Sequence, residues 1–341
     1  MSKVRVAING FGRIGRNAYK ILHGRNDVEV VAVNDLTDNK TLAHLLKYDS
    51  NYPGHDWYES IESTDDGLKV DGKEIHVFSE KDPASLPWGA HNVDVVIEST
   101  GFFVDPKLAR AHIDGGGAKR VVISAPAKGE GSTTIILGVN DGEIKSSEDV
   151  INNGSCTTNC VSPVAAVMES AFGIEKALMS TIHSYTADQN LQDGPHKDLR
   201  RSRAAAQNIV PTSSGAGIAV AEVIPELKDH FHAMAFRVPT PVVSISDFAI
   251  VTKKNTTAEA VNEVFKKAAA EPFYQGILGV TEEPLVSSDF IGNSHSAIVD
   301  LSLTTVVGGN LVKVVVWYDN EWGYSNRLVE LTVDVGKNLK S

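Results

Sequence analysis

The chain has 341 residues, 42% hydrophobic and 22% charged, with a formal net charge of −11 and a sequence pI of about 5.5. That length exceeds what one core usually supports, so two domains are expected, and the acidic balance disfavours a nucleic-acid surface, which needs clustered Lys and Arg against phosphates. No run of about 18 uncharged apolar residues could span a bilayer, and the N-terminus enters a strand pattern at once, so a cytoplasmic protein with no membrane or nucleic-acid partner is expected.

Along the first 150 residues, short apolar runs alternate with helical patterns: Val4 to Ile8, Val28 to Val33, Val93 to Glu98, Val121 to Ser124 and Thr134 to Val139. Strands that are apolar throughout imply a parallel sheet covered on both faces. Within this stretch Asp71-Gly72 separates two alternating runs between Leu68 and Phe78 and reads as a hairpin turn, an insertion with no chemistry of its own.

The first strand runs into Gly10-Phe-Gly12-Arg-Ile-Gly15, a G-x-G-x-x-G turn opening a helix with apolar Ile14, Ala18, Ile21 and Leu22. Such a turn lets backbone approach a pyrophosphate and offers it the free N–H groups of a helix N-terminus. Asp35 ends the second strand about 20 residues past the last glycine, where a carboxylate can accept from the adenosine ribose hydroxyls. NAD fits better than NADP, because a 2′-phosphate would meet Asp35 and apolar Leu36 with no cation before Lys40. The alternative for Asp35 is a cap on the following helix.

From Asn152 the pattern changes. A helix is expected over Thr157–Phe172, a strand over Leu178–His183, and a polar loop from Ser184 to Asn208 that is too long for a mere connection. Alternating strands at Ala233–Val238, Val242–Thr252, Ala297–Val306 and Leu311–Tyr318, with a helix over Thr257–Ala270, predict a mixed or antiparallel sheet with helices on one side. The last segment, Trp322 to Leu339, shows no clean period, but a helix is favoured and is expected to pack back on the first domain. Lys197 to Arg203 is the one basic cluster; it reads as a solvated or subunit-contact loop, with a place near a phosphate as the sharper alternative.

The two cysteines, Cys156 and Cys160, are too few for a disulfide framework or a Cys-rich zinc site, and no metal is expected. Cys156 follows Gly154-Ser155 at the start of a helix, where the helix dipole favours thiolate; Cys160, one turn on, reads as a small buried hydrophobe. A nucleophile needs a base, and His183 at a strand end is the best placed histidine. Taken singly, a cysteine is more often a packing residue and a strand-end histidine more often a hydrogen-bonded structural one, and spacing does not pair them.

Taken together, Asn9-Gly-Phe-Gly-Arg-Ile-Gly-Arg16, Ser155-Cys-Thr-Thr-Asn-Cys160, His183-Ser-Tyr-Thr186, Arg237-Val-Pro-Thr-Pro241 and Trp317-Tyr-Asp-Asn-Glu-Trp-Gly-Tyr-Ser-Asn326 resemble the phosphorylating glyceraldehyde-3-phosphate dehydrogenases from end to end. The resemblance implies an α/β Rossmann NAD-binding domain over 1–154 plus 320–341, and an α+β catalytic domain over 155–319. It also implies a homotetramer in which the 184–208 loop lies at a neighbour's cofactor site.

In the implied reaction Cys156 attacks glyceraldehyde 3-phosphate, His183 serves as base, hydride passes to the nicotinamide, and inorganic phosphate releases the thioester as 1,3-bisphosphoglycerate. The resemblance gives the two phosphates to Ser155, Thr157, Thr186, Ser214, Gly215 and Arg237. It gives the pyrophosphate turn to Arg13 and Ile14, the adenosine half to Lys81 and Ser124, and the carboxamide to Asn320. Ser214 stands where Thr is usual, and Gly154 where Ala is usual. Erythrose-4-phosphate dehydrogenases share the glycine and cysteine motifs but generally lack Thr186 and the Ser214-Gly215 element. A non-catalytic NAD-binding or interaction protein is the reading from another class.

Overall fold

A computed structural model of the chain describes residues 2–53 and 60–339. The chain divides into two compact units. One comprises Met1–Ile135, Asp141–Gly154 and Ser325–Ser341; the other comprises Ile136–Asn140 and Ser155–Tyr324.

In chain order the first unit contains β1 (Val4–Asn9), α1 (Arg13–His23), β2 (Val28–Asn34), α2 (Asn39–Lys47), β3 (Ile61–Ser63), β4 (Gly67–Val70) and β5 (Lys73–Phe78). Next come β6 (Val95–Glu98), the short helices α3 (Pro106–Ala109) and α4 (Ala111–Asp114), β7 (Arg120–Ile123), β8 (Thr133–Thr134) and β9 (Val150–Asn152). Among the described residues these strands form one nine-stranded sheet in the order β3-β4-β5-β2-β1-β6-β7-β9-β8. From β5 through β8 every neighbouring pair is parallel. The central strands bury side chains on both sides, Ala7, Ala32, Val96 and Val121 on one face and Ile8, Val33, Ile97 and Val122 on the other, which explains why they read as unbroken apolar runs.

The Asp71-Gly72 hairpin forms as expected. Both residues have positive φ, 50° and 76°, which suits the right-handed strand twist of a two-residue connection, and β5 then joins β2, extending the main sheet. The strand expected over Thr134–Val139 does not continue beyond Thr134. Ile135 N–H still pairs with the Asn152 carbonyl at 3.0 Å, but Ile136 N–H donates to Asn140 Oδ1 at 2.8 Å and Gly138 turns at φ +82°, so a turn opens at buried Ile136. β9, which pairs with β7, has only three residues and was not anticipated.

The second unit contains α5 (Cys156–Phe172), β10 (Ile174–Ser184), β11 (Val210–Ser213), α6 (Ala216–Val223), β12 (Phe231–Val238), β13 (Ser244–Thr252) and α7 (Ala258–Ala270). It continues with β14 (Leu278–Thr281), β15 (Ala297–Asp300), β16 (Thr305–Val307) and β17 (Leu311–Tyr318). Among the described residues its sheet runs β11-β12-β10-β13-β17-β15-β14, with β16 on β17, and mixes parallel with antiparallel pairs. The strand expected over Ala297–Val306 is broken, because Leu301–Leu303 form a 3-10 turn that buries Leu301. Helices α5, α6 and α7 share the core with one face of this sheet. Ser155 caps α5 by accepting the Thr158 N–H, and Thr257 caps α7 in the same way.

The final helix, α8 (Trp322–Asn338), enters the first unit from Ser325 onward. Leu328, Val329, Leu331, Thr332 and Val333 are all fully buried, so the helix is enclosed on most sides and keeps only a narrow polar stripe, Asn326, Glu330, Asp334 and Lys337.

Candidate active site

α5 begins at Cys156, and β10 ends one residue past His183. The fold thereby brings Cys156 Sγ to 3.4 Å from His183 Nε2. On the other side of the ring, Nδ1 lies 2.7 Å from the Ser184 carbonyl and 2.7 Å from Arg237 Nη1, which also donates to that carbonyl at 3.1 Å. The Ser184 carbonyl, which can only accept, calls for the ring proton on Nδ1, and that tautomer turns the Nε2 lone pair to the thiol; Arg237 Nη1, which can only donate, then spends its N–H on the carbonyl and not on the ring.

The electrostatics differ from the expectation of a thiolate. Burial pushes the Cys156 thiol up, although the Arg237 cation and hydrogen bonds from Thr157 pull the other way. His183 is pushed down to about 3, first by burial and then by the adjacent Arg237 guanidinium. Desolvation of the half-buried sulfur thus opposes the thiolate that a helix N-terminus favours, while the imidazole beside it is neutral. Cys160 is fully buried in the core, and burial pushes its thiol up to well above the usual range.

Tyr318 supports the site from below: its OH lies 3.1 Å from Thr157 Oγ1 and 2.8 Å from Thr181 Oγ1, and its ring meets the His183 ring edge-on. Thr186 is held by its hydroxyl on Asp188 and its N–H on Gln189. Asp188 in turn pairs with Arg201, whose Nε donates to Thr212 at 3.0 Å. Arg201 comes from the basic cluster, and its charge acts on both His183 and Arg237. Asp188 was not singled out in the sequence; its one signal was its place in the long polar loop.

Ser214 and Gly215 sit between β11 and α6, where the Ser214 hydroxyl accepts the Ala216 N–H at 3.3 Å. The Ser155 hydroxyl is engaged as the cap of α5. Asn320 is buried, its Oδ1 accepting from Ser244 Oγ at 3.0 Å, and Ser244 Oγ also accepts the Ser184 N–H. Next to it Val243 has φ +72°, a strained conformation for a β-branched residue, and its carbonyl accepts the Ser184 hydroxyl at 2.6 Å.

The first unit holds a separate cleft of about 540 Å³ lined by Asn9, Gly10, Gly12, Asn34, Asp35, Leu36, Glu80, Lys81, Ser99, Thr100, Phe102 and Phe103. Gly10 takes φ +92°, and a Cβ on Gly15 would lie 2.0 Å from the Gly10 carbonyl, so these two glycines make the turn. A Cβ on Gly12 would meet nothing within 4 Å, which leaves the helix N-terminus open to a ligand. Asp35 is no helix cap: it accepts the Phe11 N–H at 2.7 Å and the Thr37 N–H at 2.9 Å, while Asp38 caps α2. Arg13 directs a guanidinium N–H to Asp49 at 2.8 Å, and Ile14 lies in the first turn of α1. Ser124 follows β7, its N–H on the Glu98 carbonyl, outside the cleft lining.

Residues 4–106 match the family model described as glyceraldehyde 3-phosphate dehydrogenase, NAD binding domain, and residues 155–320 match its C-terminal domain. The chain belongs to the glyceraldehyde-3-phosphate dehydrogenase family. It is 53% identical over 338 residues to glyceraldehyde-3-phosphate dehydrogenase 2 of Streptomyces avermitilis, covering 98% of this chain and 99% of the relative. It is likewise 53% identical over 342 residues to the Mycobacterium avium enzyme, with the same coverage. Against the Borreliella burgdorferi enzyme it is 50% identical over 333 residues, covering 96% of this chain and 98% of the relative. Membership in this NAD-dependent family does not favour the erythrose 4-phosphate alternative.

Proposed function

We propose that the chain oxidises glyceraldehyde 3-phosphate with NAD and inorganic phosphate to 1,3-bisphosphoglycerate. The observation that carries the proposal is the Cys156–His183 pair beside Arg237. His183 Nε2 takes the thiol proton as Sγ attacks the aldehyde carbon and passes it to the developing alkoxide, giving a hemithioacetal. NAD, when bound, supplies the hydride acceptor that makes this adduct a thioester. A phosphate oxygen then attacks the thioester carbon, the C–S bond breaks, and the acyl phosphate leaves Cys156 free.

Arg237, Thr186 and Thr157, with Ser155, Ser214 and Gly215, offer a guanidinium, hydroxyls and N–H groups suited to the two phosphates. The Asp188–Arg201 pair holds Thr186 in place. NAD would lie in the first-unit cleft, with Gly10, Gly12, Gly15, Arg13 and Ile14 at its pyrophosphate, Asp35 at a ribose, and Lys81 and Ser124 toward the adenosine. Asn320, whose Oδ1 is already engaged by Ser244, has its amide N–H groups to donate to a carboxamide.

A homotetrameric, cytoplasmic enzyme is part of the proposal. The face of the second unit's sheet opposite its helices bears Leu178, 63% exposed, and Leu311, with Ile218 of α6, 74% exposed, beside them on a groove of about 950 Å³. These exposed apolar side chains, set on that groove among Lys176, Glu222 and Lys228, suit burial against another copy. No described helix is long and apolar enough to cross a membrane.

The test is NADH formation from glyceraldehyde 3-phosphate with and without phosphate. Turnover that requires phosphate and disappears in Cys156→Ser is expected; turnover that survives that substitution would end the proposal.

A further inference from the structure

Beneath the cleft of the first unit runs a buried polar chain that the chemistry above does not use. Trp88, His112, Glu98, Asn9 and Asn34 are each 4% exposed or less. Trp88 Nε1–H donates to His112 Nδ1 at 2.9 Å; an indole can only donate, so the ring proton sits on Nε2, which donates to Glu98 Oε2 at 3.0 Å. Asn9 Nδ2 donates to the same oxygen at 2.5 Å. The other oxygen, Oε1, accepts the Thr100 N–H at 2.8 Å and the Thr100 hydroxyl at 2.5 Å.

Each carboxylate oxygen therefore takes two donors, and these donors hold two separate segments of the cleft lining. On one side, Asn9 Oδ1 is turned to accept from Asn34 Nδ2 at 2.6 Å, and Asn34 exchanges bonds of 2.8 and 2.9 Å with the Glu80 backbone, next to Lys81. On the other, the committed Thr100 proton leaves a lone pair for the Phe102 N–H at 3.1 Å across Gly101, which turns at φ +76°. Asn9, Asn34, Glu80, Lys81, Thr100 and Phe102 all line the cleft, whereas Glu98 does not. Two carboxylate oxygens answer all four donors; an amide in their place would turn N–H groups toward two of them.

We propose that Glu98, oriented through His112 and Trp88, is a positioning residue for the dinucleotide, setting both segments of its cleft lining from below without touching it. The proposal rests on the NAD reading above.

The test uses the full-length protein and compares Glu98→Gln, His112→Leu, His112→Gln and Trp88→Phe with the parent. NAD affinity is read by calorimetry, fold by the unfolding midpoint without NAD, and catalysis by kcat and KM. Glu98→Gln and His112→Leu are expected to raise the Kd and KM for NAD about tenfold or more, with kcat at saturating NAD kept within about twofold. His112→Gln, which retains one acceptor and one donor, is expected to recover most of that affinity, and Trp88→Phe to lose less than Glu98→Gln. If Glu98→Gln does not fold, the two His112 variants and Trp88→Phe decide the matter. A lowered midpoint with NAD affinity unchanged, or kcat lost with affinity unchanged, overturns the proposal and leaves a core network. If the parent itself fails to bind NAD, the cofactor reading is what falls.

Discussion

His183 concentrates the chemistry of the second unit in one ring. One nitrogen faces the thiol, the other faces a carbonyl, and a guanidinium that can only donate stands 2.7 Å from the second. That cation opposes protonation of the ring, so removing it should make the imidazole more basic. In Arg237→Leu the His183 pKa is expected to rise from about 3 but to stay below the ordinary 6.5, because burial, the larger cause, is retained. Histidine-selective NMR across a pH titration reads this directly, and a ring that titrates as in the parent would show that Arg237 has no electrostatic hold on it. At this scale the sequence was legible only in part. Cys156 and His183 were visible as a helix start and a strand end, yet their 3.4 Å approach depends on how β10 lies beside α5, which no local spacing encodes. The Arg201–Asp188–Thr186 chain was less visible still, since it is built within a loop whose only signal is length and polarity.

At the scale of the element, β1, the glycine turn and α1 could be read directly because the apolar period switches from strand to helix across glycines with definable tasks. Those tasks differ, and the difference is testable. A Cβ on Gly10 would lie 2.7 Å from Thr100 N and 2.8 Å from the Ser99 carbonyl carbon at φ +92°, so backbone must move; Gly12, at φ −72°, has open space around its missing Cβ. Gly10→Ala is expected to cost about 2 kcal/mol or more of stability by combining strain with a clash. Gly12→Ala is expected to leave the unfolding midpoint nearly unchanged while weakening NAD binding, since its methyl occupies the approach to the helix N-terminus. Undiminished NAD affinity in Gly12→Ala would show that the open space does not receive the ligand. Elsewhere local pattern misled for physical reasons. Ile135 and Ile136 are buried although the strand gives way to a turn at Ile136, and the Ala297–Val306 run is interrupted where Leu301 turns into the core. The period of α8 is blurred because that helix is buried on most sides.

For the whole molecule, the buried ionisable groups set how folding should respond to acid. His183 binds its proton only near pH 3 in the folded chain, whereas an unfolded histidine binds it near 6.5. Above 6.5 both states are neutral there and the group contributes nothing; as pH falls from 6.5 toward 3 the unfolded chain gains a proton that the folded one refuses, and stability declines. Asp49 acts in a lower window. Burial alone would push its carboxyl up, but Lys20 and Arg13, each 2.8 Å away, together hold it down to about 2. Its contribution is complete above an unfolded value of about 3.8 and is lost as pH falls toward 2, a change of about 2 kcal/mol. The expected stability profile therefore declines in two stages, one beginning near 6.5 and one below about 3.8. Denaturant unfolding across pH measures it, with His183→Gln expected to flatten the first stage and Asp49→Asn the second. A first stage equally steep in His183→Gln would place the acid-sensitive group elsewhere among the histidines.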